Sequence, residues 1–393
     1  MSDDTGTDLA TDAVHSGENT DELSSVSGDV VSPIHLATHH EMDAPGESAH
    51  GYKYSRFGNP TREALETRLA DLTGASEAIA FSSGTAAIAT AGLALCDPGD
   101  HIVAFDGVYG GTRLLFEEFL RGKLGVDIEY VDATDATNVE TAIRPETTLL
   151  WMETPTNPLL KLCDLDAVAS IADDHGIPLG VDNTFATPYS QRPLEQGADL
   201  VVHSTTKYLN GHSDSTGGAV ATSDPALANR ISELQAYTLG NLLAPFDSYL
   251  VLRGTKTFPL RMGKHETNAR AIAEHLLEHP SVSRVNYPGL ESHPQHELAR
   301  RQMDGFGGIV SFELGATEAE TRAVLEELDV FTIAVSLGGV ESLVDHPWTM
   351  SASFISPEER REAGISESLV RMPIGIEDTS DLIEDLGQAL ENV

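Results

Sequence analysis

Residues 198–214 read ADLVVHSTTKYLNGHSD, and this stretch decides the fold. ADLVVH is a short apolar run, long enough for a buried strand and too short for a helix. It ends in three hydroxyls, Ser204, Thr205 and Thr206, followed by Lys207. An earlier apolar run, IPLGV at 177–181, ends in Asp182. Two such runs, each finishing in a polar group, imply neighbouring strands of a parallel sheet. In such sheets ligands sit at the carboxyl ends of the strands.

A lysine, a carboxylate and several hydroxyls at one sheet edge match the needs of pyridoxal phosphate. The lysine amine condenses with the aldehyde, the carboxylate keeps the pyridine nitrogen protonated, and the hydroxyls take the phosphate. Lysines usually lie on the surface. This chain has six, at 53, 123, 161, 207, 256 and 264, so one set among small hydroxyls behind a buried strand is not background.

Outward from this core, EAIAF, HIVAF, VDIEYV and TLLWME alternate with helical stretches from residue 61 onward. The expected fold is α/β, a mostly parallel central sheet with helices on both faces. TREALETRLADLTG is an amphipathic helix ended by Gly74. Residues 1–60 are polar and read as an extended arm with a disordered tip. Residues 61–255 are expected to form the large, cofactor-binding domain. Residues 256–393 are expected to form a smaller α+β domain, with strand candidates GGIVSFEL, FTIAVSL and SLVRMPIGI. A long helix across 246–279, broken near Pro259, leads into it.

The 393 residues exceed one ordinary core, and 40% apolar content suffices for two. The formal net charge is −38, from 62 acidic and 24 basic residues. A field of that sign repels phosphate backbones and anionic lipid, so nucleic-acid and membrane partners are not expected. Cys96 and Cys163 give no disulfide framework and suit a reducing compartment. The start, MSDDTGTDLATD, lacks the basic end and apolar core of a signal peptide. No apolar run approaches the ~20 residues of a membrane helix. A soluble, cytoplasmic protein is the expectation.

Further segments carry candidate chemistry. SSGT at 82–85, with Ser83, Gly84 and Thr85, is either a phosphate cradle at a helix N-terminus or a plain cap. VYGGT places Tyr109 before two glycines, where it could stack on a cofactor ring or fill a turn. In TPTNP, Asn157 can offer its amide to a carboxylate or cap the loop locally. Arg371, within SLVRMPIGIED, lies in an apolar setting and needs an anion. A bidentate substrate carboxylate and an internal acid both answer that need. The histidines at 15, 35, 39, 40 and 50, and His265 with His275, lack metal-ligand spacing, so no metal is expected.

YKYSRFGNPTR, SSGTAA, VYGGT, TPTNP, VDNTFATP, HSTTKYLNGHSD, SLGGVESL and LVRMPIGIED occur in this order between residues 52 and 378. Together they resemble the Cys/Met-metabolism enzymes that use pyridoxal phosphate, the cystathionine γ-synthases, γ-lyases and their relatives. The resemblance implies fold-type I and a homotetramer of two tight dimers with shared active sites. It implies that Tyr54 and Arg56 reach the neighbouring subunit's cofactor phosphate. Gly84, Thr85, Ser204 and Thr206 would hold the chain's own cofactor phosphate. Tyr109 would stack on the ring, Asp182 would pair with its nitrogen, and Lys207 would be the covalent anchor and proton shuttle. Asn157, Ser336 and Arg371 would hold the carboxylate of an amino-acid substrate. The implied reaction is γ-replacement or γ-elimination on a homoserine ester or sulfur amino acid. O-acylhomoserine sulfhydrylase, methionine γ-lyase and cystathionine β-lyase stay open as alternatives.

Three positions depart from the cystathionine γ-enzyme pattern. Lys53 replaces an acid, Leu114 replaces an arginine with Arg113 one place earlier, and Val335 replaces a glutamate. Gly111 and the SLGG run likewise differ from the methionine γ-lyase pattern. The scarcity of lysine beside abundant Asp and Glu resembles proteins of salt-loving archaea, in which salt screens self-repulsion.

Overall fold

The computed structural model describes residues 8–18 and 28–391. Seven short strands form the large sheet: β1 (Glu77–Phe81), β2 (His101–Phe105), β3 (Asp127–Val131), β4 (Thr147–Glu153), β5 (Leu179–Asp182), β6 (Leu200–His203) and β7 (Gly218–Thr222). Their order is β1-β7-β6-β5-β4-β2-β3. The pairs β6/β5, β5/β4, β4/β2 and β2/β3 are parallel, and β7 runs antiparallel to both β1 and β6. The inner strands β2, β5, β6 and β7 are buried along their whole length, which explains their unbroken apolar runs.

β7, GAVAT, is not among the strands expected from sequence. Its small residues carry little β signal. The packing explains them: a Cβ on Gly218 would lie 2.3 Å from the Ser83 carbonyl oxygen. Trp151 of β4 is fully buried and meets Phe116 edge-on at 5.8 Å. Burying such a side chain contributes about 2–3 kcal/mol.

The helix Pro60–Thr73 forms as expected. Asn59 accepts hydrogen bonds from the Thr61 and Arg62 amides, Pro60 opens the first turn, and Gly74 closes the helix at φ 71°. The reading of residues 1–60 as extended throughout is corrected. Leu9–His15 is a helix packed on Pro60–Thr73 and on Phe258–Glu278, with Ala13 buried. Seven residues with one buried position give no readable periodicity. The expectation for the arm's tip falls on residues 1–7, outside the described residues.

Glu18 fastens this arm. Its Oε2 lies 2.7 Å from Arg68 Nη2 and 2.6 Å from Lys256 Nζ, and Oε1 accepts from the Ser32 amide. Burial opposes ionisation, but these contacts outweigh it and hold the carboxyl below the usual range. A depressed carboxyl stabilises the fold above its unfolded pKa, and that contribution disappears as pH falls through the folded value. Glu18→Ala leaves the fully buried Arg68 without its acid. It is expected to cost about 2 kcal/mol, read as a lower urea midpoint at pH 7, with a smaller loss at pH 3.

A three-stranded antiparallel sheet, β8 (Val282–Asn286), β9 (Ile309–Leu314) and β10 (Leu369–Pro373), forms in the C-terminal part. FTIAVSL is not a full strand: only Thr332 and Ile333 pair, in parallel, with Leu343 and Val344. Ser336, at φ 115°, interrupts the extended path. The long helix is two helices, Pro245–Thr255 and Phe258–Glu278, and Pro259 lies in the first turn of the second. One apolar core spans residues 79–231 and another spans 269–390. A third joins Leu65, Phe185 and Tyr208 to Met262 and Ile309, which brings β10 and the Ser336 loop to the edge of the large sheet.

Candidate active site

Each polar group at the sheet edge is delivered by the end of a strand. Ser83–Thr85 follow β1, Tyr109 follows β2, Glu153 ends β4, Asp182 ends β5, and Ser204–Lys207 follow β6. All of these except Thr205 line one cavity of about 550 Å³, which Asn157, Val335, Ser336 and Arg371 complete from the other side.

Lys207 Nζ donates to Ser336 Oγ at 2.7 Å. Burial, aided by the positive charge of Arg371, lowers its amine to about 8. A neutral amine is a nucleophile and a base near neutral pH. Ser336 also presents its carbonyl to Arg371 Nη2 at 3.2 Å. Its φ of 115° is strained for a serine, a conformation that costs of order 1–3 kcal/mol and is held by the surrounding structure. The neighbouring Gly338 is required as glycine, because at φ 80° a Cβ would lie 2.5 Å from the Tyr208 amide.

Arg371 has the internal acid that one reading of its sequence context called for. It is buried in mid-strand, and its Nη2 pairs with Asp345 Oδ2 at 3.1 Å. Nη1 donates to Asn157 Oδ1 at 3.0 Å. Its Nε finds no partner among the described residues. Arg371 lines the cavity, and a buried guanidinium that keeps an unpaired donor is suited to an incoming carboxylate.

Asp182 is 6% exposed, and its Oδ1 accepts from the Thr184 amide at 3.0 Å. Burial lifts its carboxyl above the ordinary range, and Thr184 offsets only part of the rise. Among the described residues no lysine or arginine pairs with it. A protonated ring nitrogen would supply the missing cation.

Tyr109 lines the cavity and is 46% exposed. The two following glycines have steric reasons. A Cβ at 110 would strike the Phe354 ring at 2.0 Å, and one at 111 would lie 2.4 Å from the Tyr109 ring.

Pyridoxal phosphate fits this donor set. At the phosphate end, a Cβ on Gly84 would come within 3.0 Å of Ser204 Cβ, so glycine leaves space for a group between helix Gly84–Leu95 and Ser204. Two of the expected ligands are already occupied. The Ser83 hydroxyl caps the Ala86 amide at 3.0 Å, and the Thr206 hydroxyl exchanges hydrogen bonds with Gly217. Tyr54 and Arg56 do not line this cavity. They form an aromatic and cationic cluster with Phe57 and Tyr237 at the surface, where Arg56 also binds the Ala236 carbonyl.

Sequence reasoning did not assign Glu153 or Asp345 to the site. Glu153 was visible only as an acid ending an apolar run. Asp345 meets Arg371 through an isolated bridge between distant segments, for which the sequence carries no signal.

The family model for Cys/Met metabolism PLP-dependent enzymes matches residues 10–391. A cystathionine beta-lyase of Coxiella burnetii is 48% identical over 97% of this chain and 97% of its own length. A cystathionine gamma-lyase of Bacillus subtilis is also 48% identical, over 97% and 98%. The crystal structure of metB from Corynebacterium glutamicum superposes with a TM-score of 0.94 at 42% identity, covering 98% of each chain. With a fold and cavity of this kind, the chain belongs to the Cys/Met metabolism family of enzymes dependent on pyridoxal phosphate.

Proposed function

We propose that this enzyme is a carbon–sulfur lyase acting on cystathionine, eliminating at the γ-carbon as its Bacillus subtilis relative is named to do. The carrying observation is the linked triad of a half-buried amine, Lys207, the strained Ser336 and Arg371 with its unpaired Nε. Arg371 and Asn157 hold the substrate α-carboxylate, which fixes Cα within reach of Lys207. Lys207 removes the Cα proton and carries protons between Cα, Cβ and the leaving sulfur. Ser336 steers the amine by its hydroxyl. Bound pyridoxal phosphate supplies the electron sink that makes those protons acidic. Asp182 would balance the ring nitrogen's charge, Tyr109 would cover the ring, and Gly84, Thr85 and Ser204 would hold the phosphate, with Thr206 beside it while its hydroxyl stays on Gly217. The thiol leaves with a proton, water adds, and ammonia and 2-oxobutanoate are released.

A second chamber of about 320 Å³ shares Tyr109, Asn157 and Ser351 with the first cavity. Arg113 and Lys161 bring positive charge to its walls, and Asp106, Glu359 and Glu362 bring negative charge. Mixed charge suits the zwitterionic far end of cystathionine. Arg113 stacks on Tyr130 at 4.3 Å and makes one long hydrogen bond of 3.5 Å, so most of its donors stay available. Arg113→Ala is expected to raise KM for cystathionine about tenfold with kcat little changed, the signature of lost ground-state binding.

The surface position of Tyr54 and Arg56 supports a homotetramer in which they complete a neighbour's site. The net charge of −38 supports a salt-adapted, cytoplasmic enzyme. Product analysis tests the activity. Cystathionine should yield 2-oxobutanoate, cysteine and ammonia. Pyruvate would show β-cleavage instead, and no keto acid from holoenzyme kept in salt would reject the lyase.

A further inference from the structure

Glu153 and Asp182 are register partners at the ends of the adjacent parallel strands β4 and β5. Residues in register on parallel strands project to the same face. Both side chains line the cofactor cavity, at 4% and 6% exposure. Neither pairs with a lysine or arginine among the described residues. Two buried carboxyls side by side do not both ionise, so one of them keeps a proton.

Their other contacts separate the roles. Glu153 Oε2 accepts from the Tyr109 amide at 2.5 Å. That amide opens the loop whose tyrosine lines the cavity. Among the described residues Asp182 engages its own loop, through Thr184. Burial first, and then the charge of Asp182, raise the Glu153 carboxyl well above its ordinary range.

We infer that Glu153 is a positioning residue that works as a neutral acid, fastening the Tyr109 loop to the sheet edge and leaving Asp182 as the single negative charge available to the cofactor's ring nitrogen. The inference deepens the reading of this cavity as a pyridoxal phosphate site and rests on it. An ionised Glu153 would add a second charge beside Asp182 with no cation to match it. An uncharged side chain of the same shape should therefore serve, whereas a truncated one should not.

The test uses the full-length protein stripped of cofactor and titrated with pyridoxal phosphate. Three quantities are read for wild type, Glu153→Gln and Glu153→Ala. They are the cofactor dissociation constant, the visible circular dichroism per bound cofactor, which reports how the ring is held, and the melting temperature of the cofactor-free form. Glu153→Gln is expected to stay within about threefold of wild-type affinity and to keep the dichroic band. Glu153→Ala is expected to bind about tenfold more weakly and to lose at least half of the band. The cofactor-free melting temperature should change little in Glu153→Gln. If Glu153→Ala does not fold, Glu153→Gln decides alone, because a working carboxylate at 153 would make it lose affinity and band. That loss, or unchanged binding and dichroism in a folded Glu153→Ala, overturns the inference. A wild-type protein that takes up no pyridoxal phosphate overturns the functional reading itself.

Discussion

Replacing Lys207 by alanine is expected to lower turnover of cystathionine by about four orders of magnitude, because one side chain provides both the covalent anchor and the proton carrier. The fold should survive. The lysine is half-buried, and among the described residues its side chain hydrogen-bonds to Ser336, so alanine removes a partly desolvated amine rather than a structural pair. Cofactor should still bind, held by Asp182 and the phosphate contacts, and should be lost on gel filtration more readily than from wild type. The wild-type amine makes a further demand on pH. Its pKa of about 8 lies below that of a free lysine, so the neutral form gains population as pH rises through 8. The rate of cofactor loading into the stripped protein, followed by absorbance, should rise through that value and level off above it.

Replacing Arg371 by leucine should have the second-largest effect, and it should act on two quantities at once. Loss of a buried carboxylate partner typically costs 2–5 kcal/mol, so kcat/KM is expected to fall by about three orders of magnitude. Stability should fall as well, by about 3 kcal/mol, because Asp345 is fully buried and loses its cation. Double replacement of Arg371 and Asp345 by apolar residues should restore much of the stability and none of the activity. Removing the guanidinium also removes a positive charge that holds the Lys207 amine down. The loading profile should therefore shift to higher pH in Arg371→Leu, even where catalysis is too slow to measure.

The large sheet was readable because most of its strands are apolar runs, and β4, β5 and β6 lead into residues that do not belong in a core. Asp182 and Lys207 stand out for that reason, and the structure brings both to one cavity with Tyr109, Asn157 and Arg371. β7 was unreadable because its residues answer to a close backbone approach at Ser83 rather than to strand propensity. The helix Leu9–His15 was hidden by its length. FTIAVSL looked like a strand because its composition is β-rich, but Ser336 adopts a positive φ to reach Lys207 and Arg371 together, and this ends the strand early. Glu153 and Asp345 mattered only through partners on other strands. Cross-strand register and isolated bridges join residues far apart in sequence, and no local pattern records them.

The most direct test of the central claim is to locate the cofactor's attachment. The holoenzyme, kept in salt, would be reduced with borohydride, digested, and its pyridoxyl-bearing peptide sequenced by mass spectrometry. The account expects the added mass on Lys207, in the segment HSTTKYLNGHSD, with the remaining five lysines unmodified. Attachment at another lysine, or none despite stoichiometric bound cofactor, would contradict it.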